Sequence, residues 1–169
     1  MKKLIAVSVV SVLVIAEDAA AKSTSGGSFE IAAGTVTTPQ TLGANKKGII
    51  DQGATLTSSS AITVTITGSA TLTNNGTLSE TGSSRAVRIT GTGIDVNLNN
   101  AAGASITAAG DDTIQSKADA AVNITNAGSI TSGTTSTAGG QAIDLNNVVS
   151  KTNTITNLAT GTITTYTNR

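Results

Sequence analysis

The chain has 169 residues, with ten basic and ten acidic side chains, so its formal net charge at neutral pH is zero. This balance leaves no basic footprint for nucleic acid and no polybasic segment for anionic lipid. Histidine and cysteine are absent, which removes the usual general base, thiol nucleophiles, disulfides and zinc sites built on these residues. Phe29 and Tyr166 are the only aromatic residues, and a core without large rings is expected to be thin.

Residues 1–21 have the three-part layout of a secretory signal peptide. Lys2 and Lys3 precede an uncharged apolar run, and the small residues Ala19 and Ala21 favour cleavage after position 21. The apolar run is shorter than the roughly 20 residues of a membrane-spanning helix. We therefore expect a protein that is secreted or held at the cell surface, with no membrane insertion after cleavage.

Residues 22–42 differ from the rest of the chain. They hold the only phenylalanine and the only proline, and Phe29, Ile31 and Ala33 alternate as in a strand. Two interpretations are open for this segment. It is either a cap on the first repeat of its own molecule or an arm that joins a neighbouring subunit.

Residues 43–169 contain a degenerate repeat. In chain order it consists of an aliphatic residue, one further residue, Asn, a short spacer, Gly, and then a second aliphatic residue followed by Thr or Ser. The repeated asparagines are Asn74, Asn100, Asn126 and Asn157, and the accompanying glycines are Gly76, Gly103, Gly128 and Gly161. The asparagines are 26, 26 and 31 residues apart, which is typical of stacked repeats. Between them, Ile62, Val64 and Ile66 alternate with polar residues. The pattern predicts an all-β fold, a right-handed parallel β-helix (β-solenoid) of about five or six coils.

The repeated Asn and Gly residues are structural candidates. Both tolerate the left-handed backbone that sharp corners require. Stacked asparagines could form a hydrogen-bonded ladder between coils, or each could cap only its own turn. The sequence leaves these two roles open.

The phrases VNITNAGSITSG and GGQAIDLNNVVSKTNTITNLATGTIT resemble the passenger repeats of bacterial autotransporters and related surface β-helix proteins. The resemblance covers roughly residues 60–165. It implies a right-handed β-helix, export by Gram-negative bacteria, and adhesion or display at the surface. The long C-terminal barrel of autotransporters has no counterpart before Arg169, which argues against a self-exporting member of that family.

The one paired-acid motif is Asp111-Asp112, similar to the paired aspartates of some polysaccharide-degrading β-helix enzymes. Those enzymes also carry His and basic residues around the cleft, usually on much longer chains, and this chain has no His and no aromatic platform for a sugar. We therefore interpret the pair as a corner with local hydrogen bonds. Calcium-binding oxygens are available on several aspartates, but the Gly-Asp nonapeptide of calcium β-rolls is absent. These aspartates are Asp51, Asp95, Asp111, Asp112, Asp119 and Asp144. We expect no catalytic site, no metal and no cofactor.

Three functions fit a non-catalytic solenoid. The first is a structural subunit of an extracellular filament or matrix, with other copies of itself as the partner. The second is a monomeric adhesin that binds other surface proteins or host and matrix ligands. The third is ice binding, suggested by Thr-x-Thr pairs such as Thr71-Leu72-Thr73 and Thr162-Ile163-Thr164. It ranks last because an ice-matching face needs such pairs at the same place on consecutive coils, and their spacing in the sequence varies.

Overall fold

The computed structural model describes residues 26–134 and 136–166. The signal-peptide prediction for residues 1–21 lies outside these ranges. The described residues form strands and turns without a helix, and all strand pairs are parallel. The chain is therefore a parallel β-solenoid, as its repeats predict.

The strands, numbered in chain order, stack into three sheets that are the three faces of the solenoid. The first sheet contains β1 (Phe29–Ile31), β4 (Lys46–Ile50), β7 (Ala70–Asn74), β10 (Asp95–Asn100), β13 (Ala121–Asn126) and β16 (Thr154–Asn157). The second contains β2 (Thr35–Val36), β5 (Thr55–Ser58), β8 (Thr77–Glu80), β11 (Ser105–Ala108), β14 (Ser129–Ser132) and β17 (Thr162–Thr165). The third contains β3 (Gln40–Leu42), β6 (Val64–Ile66), β9 (Val87–Ile89), β12 (Ile114–Ser116) and β15 (Ile143–Asp144).

Each coil uses one strand from each sheet. The coils β4–β6, β7–β9 and β10–β12 are paired with another coil on each side. In the coil β13–β15, strands β13 and β14 are also paired on both sides, while β15 lies at the edge of the third sheet. The stack thus has about four enclosed turns, slightly fewer than the five or six coils expected. The first coil (β1–β3) and the two strands β16 and β17 lie at the two ends.

The core consists of columns of aliphatic side chains, because alternate residues of a strand point to the same side. In the first sheet, Leu72, Leu98 and Ile124 lie in register and are buried. In the second sheet, Leu78 and Ile106 also lie in register and are buried. Full burial of one such side chain contributes about 1.5–3 kcal/mol. A parallel stack of these columns explains how the chain forms a core with almost no aromatic residues.

The irregular repeat length is absorbed at corners and does not disturb the strand register. Leu98 pairs with Ile124 across the 26-residue repeat, and Ile124 pairs with Ile155 in the same way across the 31-residue repeat. The largest insertion lies in the corner between β14 and β15, where residues 133–142 connect the strands. Corners can lengthen because they face solvent, whereas the strands must stay in register to bury one face.

Residues 29–42 form the first coil of the same molecule. Strand β1 pairs with β4, β2 with β5, and β3 with β6. The Phe29 ring occupies the space beside Gly48, where an added Cβ would lie 2.6 Å from the ring Cζ atom. Ala33, by contrast, is exposed. The predicted alternation therefore ends at Ile31, because the chain turns at Gly34, where φ is 69°.

Candidate functional site

The four repeated asparagines lie in one column along the corner between the first and second sheets. Successive partners are Asn74 with Asn100, Asn100 with Asn126, and Asn126 with Asn157. In each pair, the Nδ2 group of the earlier residue donates to Oδ1 of the later one, at 2.8, 2.8 and 2.7 Å. The first three side chains are buried. The column is thus a hydrogen-bonded amide ladder that runs between coils.

Each ladder amide also bonds to the backbone. Asn74 Nδ2 donates to the carbonyl of Ser105 at 2.9 Å, and Asn100 Nδ2 donates to that of Ser129 at 3.1 Å. At the end of the ladder, Asn157 Nδ2 donates to the carbonyl of Gly161 within its own turn, at 2.9 Å. The ladder therefore connects the coils, and its last member also caps its own corner.

The ladder has a direction and two different ends. At its start, Ile50 occupies the position in register with Asn74, and Asn74 Oδ1 is buried without a hydrogen-bond partner. At its other end, Asn157 is exposed. An unsatisfied buried carbonyl costs about 1–3 kcal/mol, so the ladder contributes its full stabilisation only at its interior members.

The repeated glycines have two different roles. One glycine has the left-handed backbone expected of a corner, and the other three lie where a side chain would have no room. Gly103 has φ of 80°, a conformation that side chains with a Cβ rarely adopt. Gly76, Gly128 and Gly161 lack a positive φ, but a Cβ at each would come within 2.5 Å of a neighbouring oxygen. The ladder asparagines also lack a positive φ. Their corner positions reflect hydrogen bonding and not backbone handedness.

The end of the stack formed by β16 and β17 exposes the interior of the solenoid. Ile155 is in register with the core residue Ile124, and Ile163 with Ile130. Their exposed fractions are 46% and 38%, against 1% and 0% for the two partners. In the described part of the chain, no strand pairs with the outer edges of β16 and β17. This end therefore presents apolar side chains together with free strand edges, the features of a pairing surface.

The opposite end is formed by the predicted arm. Phe29 and Ile31 are buried against their own molecule, at 3% and 0% exposure. The backbone of Gly26 also bridges to Leu42. In this conformation the segment acts as the first coil of its own chain, so Phe29 and Ile31 are not free to reach a neighbour. The outer edges of β1 and β2 are the surfaces that face away from the stack.

The paired aspartates lie in an ion-pair network. The Arg85 Nη1 atom is 2.6 Å from Asp111 Oδ2, and its Nε atom is 3.6 Å from Asp112 Oδ2. The backbone N–H of Asp112 donates to Asp111 Oδ1, and Asp112 Oδ1 accepts from the N–H of Gln141. These bonds make a corner with local side-chain hydrogen bonds. Both carboxylates have the structural partners expected of an ordered corner.

Gln115 and Asp144 complete this network, although no sequence pattern singles them out as partners of the paired aspartates. Gln115 Nε2 donates to Asp112 Oδ2 at 2.7 Å and to Asp144 Oδ2 at 3.0 Å, so it connects two coils. Nearby, burial is the main cause that lowers the pKa of Arg88, and the charge of Arg85 adds to it. Gln115 and Asp144 are in register on the outer face of the third sheet, which no sequence motif indicates. The described residues contain no group of three or more carboxylates placed to hold a metal ion.

Asp119 organises a loop of the next coil. Its carboxylate accepts hydrogen bonds from the backbone N–H groups of Val149 and Ser150, both at 3.0 Å, and from the Ser150 hydroxyl. The Ser150 hydroxyl is the main cause that lowers the pKa of Asp119 to about 2, from an ordinary value of 3.8. The carboxylate therefore acts as the acceptor that holds the backbone of residues 149–150 in place.

This pKa predicts how the loop responds to acid. Because the pKa of Asp119 is lowered in the folded state, its stabilisation is present above pH 3.8 and is lost as the pH falls through about 2. We expect the amide resonance of Ser150 to titrate with a midpoint near 2 in an NMR series. In Asp119→Asn this titration should disappear. A Ser150 amide that titrates near 4, or titrates unchanged in the variant, would contradict the assignment.

Comparisons with known proteins find no match among family models, curated proteins or solved structures. The fold and its ladder define the class of protein as a parallel β-solenoid. Within the described residues, no helix has the length and apolar character to cross a membrane.

Proposed function

We propose that this protein is a non-catalytic, secreted structural subunit that associates head to tail into a filament or matrix at the bacterial surface. The observation that carries the proposal is the exposed core at β16 and β17. Ile155 and Ile163 continue the interior columns of the solenoid yet are 46% and 38% exposed. Burial of such side chains by a further coil is favourable.

The first coil of a second copy fits this end by its chemistry. Phe29 begins the column that ends at Ile155, and Val36 begins the column that ends at Ile163. Head-to-tail stacking would therefore continue both columns, and the apolar surface that it buries is mainly that of Ile155 and Ile163, because Phe29 and Val36 are already only 3% and 8% exposed. It would also pair the free edges of parallel strands. A contact of this kind does not close on itself and produces filaments.

The charge balance and the sequence resemblance support the same function. A formal net charge of zero minimises repulsion between subunits. The resemblance to autotransporter passengers favours export by a Gram-negative bacterium and display at its surface. The signal-peptide pattern of residues 1–21 favours the same destination.

Assembly should depend on the two exposed isoleucines. We expect the purified exported protein to form particles whose mass rises with concentration, measured by light scattering and negative-stain electron microscopy. Ile155→Lys combined with Ile163→Lys should yield monomers, because two charges at the joint oppose burial. Thr156→Lys combined with Thr164→Lys is the matched control, since these exposed residues occupy the outward positions of the same strands.

Circular dichroism should show that both double variants remain folded. Monomeric wild-type protein at high concentration would refute the proposal. Equal loss of assembly in the control variant would place the joint elsewhere.

A further inference from the structure

The outer face of the second sheet carries two columns of hydroxyl side chains, which we call the hydroxyl face. The first column is Thr35, Thr55, Thr77, Ser105, Ser129 and Thr162, and the second is Thr57, Ser79, Thr107, Thr131 and Thr164. Each member is exposed or half-buried, while the residue between the two columns on each coil is an aliphatic residue that points inward. Every outward position in these registered columns is Thr or Ser.

The strand register aligns pairs that the sequence keeps at irregular distances. Thr35 and Thr55 are in register although only 20 residues separate them, and Ser129 and Thr162 are in register across 33 residues. The corners absorb the difference. An ice-matching face needs a hydroxyl pair at the same place on consecutive coils, and the variable sequence spacing argued against one. In the structure, such pairs do lie in register on consecutive coils.

The columns form a two-dimensional grid. Neighbouring strands are about 4.8 Å apart, and alternate residues of one strand are about 6.6 Å apart. Six strands span a length of roughly 24 Å at this spacing. The grid is held by paired backbone, and Ser79 Oγ also donates to Thr57 Oγ1 at 2.7 Å. The face is therefore periodic, and its backbone is fixed by hydrogen bonds on both sides of its inner strands.

The charge of the three faces differs in a way that selects the ligand. Lys47 and Asp95 lie on the outer side of the first sheet, and Arg88 and Asp144 on that of the third. The hydroxyl face has no ionisable side chain. Each hydroxyl can both donate and accept a hydrogen bond. The hydroxyl face is therefore suited to a neutral ligand surface that also both donates and accepts hydrogen bonds.

We propose that the hydroxyl face binds ice. Ice is a rigid, neutral lattice in which every water molecule donates and accepts hydrogen bonds. Single hydroxyl–water contacts are weak, but a periodic face makes many at once, and linked contacts add to a large total affinity. Ordering the face costs little because its backbone is already fixed.

A crystalline polysaccharide is the competing lattice ligand, and the aromatic residues argue against it. Sugar rings are commonly bound on exposed aromatic side chains. Among the described residues, Phe29 is buried, and Tyr166, which is 40% exposed, lies at the corner after β17 and outside the two columns. The hydroxyl face therefore lacks the stacking platform that a sugar lattice favours.

The test is thermal hysteresis, the gap between the melting and freezing points of a single ice crystal, on purified protein. We expect wild-type protein to open this gap and to facet the crystal. Thr107→Lys combined with Thr131→Lys should abolish both effects, because two long charged side chains at the centre of the grid prevent close contact. Thr73→Lys combined with Thr125→Lys is the matched control on the first sheet, and it should keep the wild-type gap.

Equal thermal unfolding of the two double variants would show that any loss is local to the face. Absence of hysteresis in folded wild-type protein would overturn the proposal. So would an equal loss in the first-sheet control, or retention on crystalline cellulose without any effect on ice. The Ile155→Lys and Ile163→Lys variant should still bind ice, which separates this proposal from head-to-tail assembly.

Discussion

Replacement of Ile124 by aspartate is expected to lower the free energy of unfolding by more than about 4 kcal/mol, because it leaves an unpaired charge in the core. Ile124 is 1% exposed and lies in register between Leu98 and Ile155. A single domain has a stability of only about 5–15 kcal/mol. Urea unfolding followed by circular dichroism should therefore show a strongly destabilised or unfolded variant.

The adjacent outward residue provides the control. Thr125 is exposed on the same strand, and Thr125→Asp should change the free energy of unfolding by less than about 0.5 kcal/mol. A similar loss in both variants would mean that the inward and outward faces of β13 are wrongly assigned. Ile155→Asp should cost much less than Ile124→Asp, because Ile155 is 46% exposed.

Removal of an interior ladder residue should have the second largest effect. Asn100→Ala takes away the acceptor of Asn74 Nδ2 and the donor to Asn126 Oδ1. It also removes the donor to the Ser129 carbonyl. Each buried polar group left unpaired costs about 1–3 kcal/mol, so we expect a loss of about 3 kcal/mol in the free energy of unfolding.

Two variants distinguish the ladder from a general effect of removing asparagine. Asn157→Ala, at the exposed end of the ladder, should cost about 1 kcal/mol or less, because water can replace its contacts. Asn99→Ala, on the exposed side of the same strand as Asn100, should be nearly neutral. If Asn100→Ala proved as mild as Asn157→Ala in the same urea experiment, the ladder would have no stabilising role.

The architecture could be read from the sequence because it depends on local patterns. Alternation such as Val64 and Ile66 determines which side of a strand is apolar. The predicted alternation does not extend to Ile62, which lies half-buried outside β6 next to the fully buried Thr63. Repeated Asn and Gly residues mark the corners, and the recurrence of the unit indicates stacking. The near absence of aromatic residues indicated a thin core, which the stacked aliphatic columns form. These features need no knowledge of which coil lies beside which.

The tertiary structure alone decided the properties that depend on register between coils. Ile124 and Ile155 occur in similar repeats, yet of the two only Ile124 is covered on both sides, because Ile155 lies in the last coil that the structure describes. The hydroxyl face arises in the same way from residues at irregular sequence intervals, aligned by strand pairing. The physical reason is that corners can vary in length while the strands must remain in register to bury their apolar side. Sequence spacing therefore conceals alignments that backbone hydrogen bonding enforces.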